Sequence, residues 1–283
     1  MKYPEGVSSW RTRLRRFLPR RFLRSGTLHS LHDVWSPELG NRREVVVYLP
    51  PTYGGTRRFP VVYMQDGQNL FDPATAHASD WGLLRALDAL AAAGRETIIV
   101  GVANAGEARI AEYSPFRDEQ TGAGRGDRYL AFLIQTLKPM IDRRFRTRPE
   151  RAHTGIAGSS MGGLISLYGF FHAPAAFGFA GVLSPSLWFA DAAIFSVMAS
   201  APFVAGRVYI DVGRREGDQH VANVRRLGDL IIDKGYHVGG DFLMVEDPNG
   251  GHDEASWGRR FPAALAFLLA DRGASESRAS RLA

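Results

Sequence analysis

The chain of 283 residues contains no cysteine. That excludes disulfide staples, thiolate metal sites and cysteine nucleophiles, and it carries no information about compartment. No run of 18 or more apolar residues is present, so no segment reads as a transmembrane helix. A basic surface is missing from the body of the chain as well, although the net charge is +6. Residues 1–24 hold Lys2, Arg11, Arg13, Arg15, Arg16, Arg20, Arg21 and Arg24 against Glu5, which is +7, so the remainder sums to about −1. The basicity belongs to an arm, and nucleic acid is not an expected partner. What remains is ordinary for a soluble globular protein: 45% hydrophobic and 23% charged residues.

Within the arm, Trp10, Leu14, Phe17 and Leu18 recur at helical spacing with arginines between them, and Pro19 ends the pattern. Two readings stand: a helix packed on its own domain with a solvated basic face, or an amphipathic helix making weak contact with an anionic membrane surface. "RRFL" resembles part of a twin-arginine export signal, but no apolar region follows, so no cleaved signal is read and the expected location is cytoplasmic. The domain plan is a basic arm at 1–25, one catalytic domain at 26–272 and a polar tail at 273–283 expected to fray.

Strands are predicted over 44–49, 60–65, 97–102, 152–157, 179–184, 207–212 and 241–246. Several are continuous β-branched runs, as strands buried on both faces should be. Helical patterns fall between them at about 80–93, 127–142, 161–172, 218–235 and 256–270. Alternation of this kind predicts an α/β fold, with a mostly parallel central sheet and helices on both faces. "TGAGRGD" at 121–127 reads as a surface loop.

The segment "TGIAGSSMGGLISLYGF" at 154–170 crowds Gly155, Gly158, Gly162 and Gly163 around Ser160, between a strand and a helix. Gly158-x-Ser160-x-Gly162 fits the nucleophile elbow, a turn so tight that the serine backbone is strained and glycine is needed two positions either side for clearance. Ser159 lies one residue off that pattern. A phosphate-binding turn is the alternative, but the turn has neither G-x-x-x-x-G-K-[ST] nor G-x-G-x-x-G.

A serine hydroxyl needs a base. Four histidines follow Ser160. His172 ends the elbow helix, and His220 and His237 fall within or just after the 218–235 helix, where they read as solvated or packed. His252 stands in a Gly-rich loop between the last strand and the last helix, where a base above the strand ends belongs. The acid is expected in the loop after 207–212. Glu216 is the better reach and Asp218 the alternative, unless Asp218 caps the next helix; Asp211 lies inside the strand. An oxyanion hole needs two fixed N–H donors. The elbow pattern assigns one to Met161, and the loop Asp66-Gly67-Gln68-Asn69 is the place for the second, unless Asp66 merely ties down its own turn. His29 and His32 form an H-x-x-H pair without a helical pattern or a third ligand nearby, and His77 and His153 are farther off, so no metal site and no cofactor are expected.

The segments "VVYMQDGQNLFDP" (61–73), "ARIAEYSPF" (108–116), "GIAGSSMGG" (155–163), "SPSLWF" (184–189), "VYIDVGRREGD" (208–218) and "GGHDEASWGRRFPAALAFL" (250–268) together resemble one esterase family of α/β hydrolases. That family takes in enterochelin (trilactone) esterases, feruloyl and acetyl-xylan esterases, S-formylglutathione hydrolase and mycolyltransferases. The resemblance covers about residues 30–270 and is strongest to the enterochelin-esterase-like branch. It implies an α/β-hydrolase fold and places the second oxyanion amide at Gln68. It favours Glu216 through Gly213-x-x-Glu216, and it suggests Arg109, Tyr113, Trp188 and Trp257 as pocket walls. The stretch from Ser184 to Arg207 is too short for a large cap, so an open site is expected. The expected activity is hydrolysis of a small-molecule carboxylic ester through an acyl-enzyme. Acyl transfer to an alcohol by the same residues is one alternative, and a non-catalytic binding or membrane-peripheral role for the chain is another.

Overall fold

The computed structural model describes residues 25–270 except 77–78, 119–120 and 122–123. The arginine-rich pattern of 1–24 and the tail 273–283 lie outside the described residues, as do His77 and part of the 121–127 loop. Eight strands form one sheet: β1 (Thr27–Ser36), β2 (Asn41–Leu49), β3 (Val61–Gln65), β4 (Ile98–Val102), β5 (Thr154–Ser159), β6 (Phe179–Leu183), β7 (Arg207–Gly213) and β8 (Phe242–Asp247). Their order is β1-β2-β4-β3-β5-β6-β7-β8. The β1–β2 and β2–β4 pairs are antiparallel, and every pair from β4 through β8 is parallel.

The helices are α1 (Leu83–Ala92), α2 (Arg109–Glu112), α3 (Gly126–Ala131), α4 (Lys138–Arg144), α5 (Met161–His172), α6 (Phe189–Ala192), α7 (Ile194–Ser200), α8 (Asp218–Asp233) and α9 (Glu254–Leu268). A π-helical segment, Phe132–Leu137, joins α3 to α4. Successive side chains of a strand point to opposite faces, and the sheet uses this to feed two cores. Val61 and Tyr63 of β3 and Ile156 of β5 pack in the larger core with Leu164, Leu167, Val224 and Leu227 of α5 and α8. Val62 and Met64 of β3 and Ala157 of β5 pack in the second core with Leu83, Leu87, Phe261 and Leu265 of α1 and α9. Helices therefore cover both faces, which is why the central strands read as unbroken apolar runs.

Seven of the eight strands lie where the apolar runs placed them. β1 was not predicted: most of its residues are exposed and its pairing shifts register between Leu31 and Val34, so it has neither a run nor a clean alternation. His29 and His32 sit on this edge strand, with His32 Nδ1 2.5 Å from Glu44 Oε2. The stretch after β6 folds into the short helices α6 and α7, and no cap domain is inserted there. Among the described residues no helix is long and apolar enough to cross a membrane.

Candidate active site

Residue by residue, the site is built at the carboxyl ends of the parallel strands, the edge where ligands bind in open α/β sheets. Ser160 joins β5 to α5 with φ 57° and ψ −122°, a left-handed backbone that costs a non-glycine residue of order 1–3 kcal/mol. Neighbouring chain holds it there. Its N–H donates to the Leu183 carbonyl at 3.0 Å, and its carbonyl accepts from Ser186 N at 3.1 Å and Leu164 N at 3.0 Å. The glycines give clearance. A Cβ on Gly158 would lie 2.6 Å from Gln65 Oε1 and 2.8 Å from the Gly162 backbone, and one on Gly162 would lie 3.0 Å from Gln65 Cβ.

His252 sits between β8 and α9, and its two ring nitrogens face different partners. Nε2 is 2.9 Å from Ser160 Oγ, and Nδ1 is 2.7 Å from Glu216 Oε2. Its ring stands edge-on to Trp257 with centroids 5.0 Å apart. Next in the chain, Asp253 caps α9 by accepting from Ser256 N at 2.7 Å, which anchors the loop that presents the imidazole.

Glu216 ends the turn after β7, and its side chain is 1% exposed. Its Oε1 accepts from Ser184 Oγ at 2.6 Å and from Gly213 N at 2.7 Å, which leaves Oε2 for His252. Burial would raise this carboxyl, but hydrogen bonds from His252, Ser184 and the Gly213 amide outweigh it and hold Glu216 below its ordinary value. Asp218, the alternative acid, is exposed in the first turn of α8. The N-cap there is Gly217, and no side chain caps the helix. The choice turns on reach: the turn folds Glu216 inward and puts Asp218 on the outer side of the following helix.

Asp66 does not tie down its own turn. Its carboxylate is bound by Arg109 in two-pronged fashion, Nε to Oδ1 at 2.7 Å and Nη2 to Oδ2 at 2.8 Å, with Asn104 Nδ2 at 2.7 Å. A cavity of about 250 Å³ opens beside Ser160, with Asp66, Arg109, His252, Glu254 and Trp257 in its walls. Two of the suggested walls are elsewhere. Tyr113 is fully buried behind Asp66, whose N–H it accepts at 3.1 Å, and Trp188 is 59% exposed and packs edge-on against Phe189. Gln68 and Met161 are absent from the lining, though each was nominated for its backbone N–H alone. Met161 opens α5, where first-turn amides have no partner within the helix.

Three side chains that the sequence did not single out, Ser186, Ser184 and Arg260, meet the site, and so does His220, which it set aside. Ser186 Oγ is 3.1 Å from Ser160 Oγ. Ser184, at φ 40°, accepts from Trp257 Nε1 at 3.0 Å and from Arg260 Nη2 at 2.8 Å while donating to Glu216. Arg260 also reaches Asp211 at 3.0 Å. His220 was read as solvated or packed on its helix, yet its Nε2 lies 3.5 Å from Glu216 Oε2, with ring centroids 5.5 Å from His252. Burial lowers its pKa. A signal for the first two was present in "SPSLWF", although their partners are set by tertiary contact. Among the described residues, Glu216, His220 and His252 are the group whose ligand-type atoms converge, all within 4.8 Å of one another.

The comparisons with known proteins agree with this architecture. The family model described as "Putative esterase" matches residues 36–268. The protein YbbA of Bacillus subtilis (strain 168) is 32% identical over 185 residues, which is 63% of this chain and 70% of YbbA. The iron(III) salmochelin esterase of Escherichia coli O6:H1 is 30% identical over 234 residues, 77% of this chain, and the match spans about half (52%) of that relative's length. The crystal structure of an IroE-like serine hydrolase from Shewanella oneidensis superposes with a TM-score of 0.69 at 21% identity, covering 86% of this chain and 79% of that one. At that identity the likeness shows the fold. The family and these relatives support hydrolase activity. With the matched region running through every strand from the end of β1 to the end of α9, the chain belongs to the "Putative esterase" family and carries its α/β-hydrolase fold.

Proposed function

We propose that the protein is a serine carboxylic-ester hydrolase in which Ser160, His252 and Glu216 act as a triad. The single observation that carries this reading is the unbroken relay from Ser160 Oγ through His252 to Glu216, at 2.9 and 2.7 Å. Ser160 Oγ attacks the ester carbonyl while His252 Nε2 takes its proton. Glu216 accepts from Nδ1–H, fixes the tautomer and stabilises the imidazolium without becoming protonated. The N–H groups of Met161 and Gln68 hold the oxyanion, each expected to be worth roughly 3–4 kcal/mol. The imidazolium then protonates the departing alcohol, and water resolves the acyl-enzyme by the same path reversed.

The substrate class is a small ester, recognised beside Arg109 and Trp257 in a cavity of about 250 Å³. Ester-linked siderophores are the natural substrates to assay first, because a salmochelin esterase is among the relatives. The test is hydrolysis of short p-nitrophenyl esters by the wild type beside Ser160→Ala. A fall in kcat of about 10⁵–10⁶ is expected for a lost triad nucleophile. Activity that survives in the variant would assign the nucleophile elsewhere and overturn the reading.

A further inference from the structure

His220 has no part in the proposed reaction, yet its side chain is 12% exposed and its Nε2 is buried without a hydrogen-bond partner. That nitrogen points at the same carboxylate oxygen, Glu216 Oε2, that His252 Nδ1 contacts. The other oxygen of Glu216 is engaged by Ser184 Oγ and Gly213 N, so Oε2 is held facing both imidazoles. Arg260, the nearest cation, stands 3.7 Å away on the Oε1 side, and its charge is met by Asp211.

We infer that Glu216, His220 and His252 form an inhibitory site for a borderline-soft divalent cation, Zn²⁺ foremost. Two imidazoles and a carboxylate are a donor set that suits it. Zn–N and Zn–O bonds of about 2.0–2.2 Å put tetrahedral ligand atoms roughly 3.3–3.5 Å apart. The His220–Glu216 separation is already 3.5 Å; the 2.7 Å His252–Glu216 contact has to open, and the two ring nitrogens, which lie within 4.8 Å of each other, have to settle at that spacing. His252 can move, because its side chain is 39% exposed and lies in a loop. The metal binds the Nδ1 lone pair of the neutral His252 imidazole, so the ring proton sits on Nε2 instead. Glu216 then loses the N–H it orients, and Nε2, now carrying the ring proton, can no longer take one from Ser160. A water completes the fourth position. The inhibition rests on the serine mechanism proposed above; the binding does not.

The experiment uses tag-free, full-length protein, Co²⁺ as a coloured stand-in and Zn²⁺ as inhibitor, with EDTA to reverse both. Wild type should develop the visible absorption of tetrahedral Co²⁺, lose it to Zn²⁺, and lose ester hydrolysis over the same Zn²⁺ titration. His220→Gln should lose the cobalt band and need at least about tenfold more Zn²⁺ for half-inhibition, since even an outer partner of a metal ligand is worth that much. His237→Gln, on an exposed residue between α8 and β8, should match wild type. Should His220→Gln fail to fold, His252→Gln judged by the cobalt band alone must lose it too. Absence of the band in wild type, or wild-type Zn²⁺ sensitivity in His220→Gln, overturns the site. A His220-dependent band in a protein without esterase activity would keep the metal site and sink the serine mechanism.

Discussion

Two buried carboxylates at the end of β7, one inside the strand and one in the turn beyond it, have been driven in opposite directions. Asp211 is fully buried, and burial pushes its carboxyl up to about 6 against the pull of Arg260, Tyr209 and the Ser184 amide. Glu216 is nearly as inaccessible, but three hydrogen bonds donated to it win over burial and lower it. The difference lies in the partners. Asp211 belongs to a structural ion pair with Arg260 under the site, whereas Glu216 is turned toward an imidazole on the surface side. A perturbed pKa marks a functional site only when the perturbing groups themselves lead to a reacting atom.

The largest test of that contrast is Glu216→Gln. It should reduce kcat about 10⁴-fold, because the amide leaves His252 in the wrong tautomer, with little change in melting temperature; the readout is ester hydrolysis beside thermal unfolding. Arg260→Met reverses the pattern. It strands Asp211 in the interior and should cost about 3–5 kcal/mol of stability, as loss of one partner from a buried pair does, read as a lowered denaturant midpoint. Ser184→Ala removes the hydroxyl shared by Glu216, Trp257 and Arg260. It should cost about 1–3 kcal/mol through unsatisfied buried groups and raise the Glu216 pKa, so that the acid limb of kcat/KM moves upward.

Asp211→Asn sharpens the comparison through pH. The folded state keeps the Asp211 proton to about 6, while the unfolded chain releases it near 3.8. Its contribution to stability is therefore full below that lower value and is lost as pH rises to about 6. Glu216 runs the other way: its contribution is present above about 4.5 and is lost as pH falls through its lowered folded value. The difference in melting temperature between wild type and Asp211→Asn, followed from pH 4 to 6.5, should change in the direction that removes the Asp211 slope. An unchanged difference would mean that Asp211 is ionised throughout. The smallest effect belongs to Asp218→Asn, an exposed position where stability should stay within about 0.5 kcal/mol and kcat within a factor of two. A large loss of rate there would move the acid from Glu216 to Asp218.

A second contrast separates size from chemistry. At the opposite, amino end of the parallel strands lies a larger cavity of about 930 Å³, with Arg57, Arg58, Arg95 and Arg148 in its walls. The smaller cavity, about 250 Å³, holds Ser160 and His252 within hydrogen-bond reach. Chain direction explains this, since the loops that leave the strands at their carboxyl ends carry Ser160, Glu216 and His252.

Much of this was legible before any coordinates. The unbroken runs at 61–65, 98–102, 154–159 and 207–213 read as strands because both faces of the sheet are covered. The elbow read as an elbow because Gly158 and Gly162 have no room for a side chain. The edge strand β1 was illegible, since it is mostly exposed and its residues carry no periodic apolar demand. So was α6, where Ala190 and Asp191 adopt left-handed backbone angles that no local propensity favours. Tyr113 and Trp188 show the limit for pocket walls: an aromatic in a family-like motif serves a core or a surface equally well, and neither lines the cavity.

The sequence by itself determined the alternating α/β architecture and the strained serine turn, because burial periodicity and steric clearance act between near neighbours. Tertiary structure alone decided which carboxylate faces His252, why Ser184 and Arg260 stand behind it, and that His220 turns inward to the same oxygen. Those outcomes depend on the registry of β6, β7 and β8 and on the packing of α8 and α9 against them. Contacts made across dozens of residues leave no local pattern in the chain.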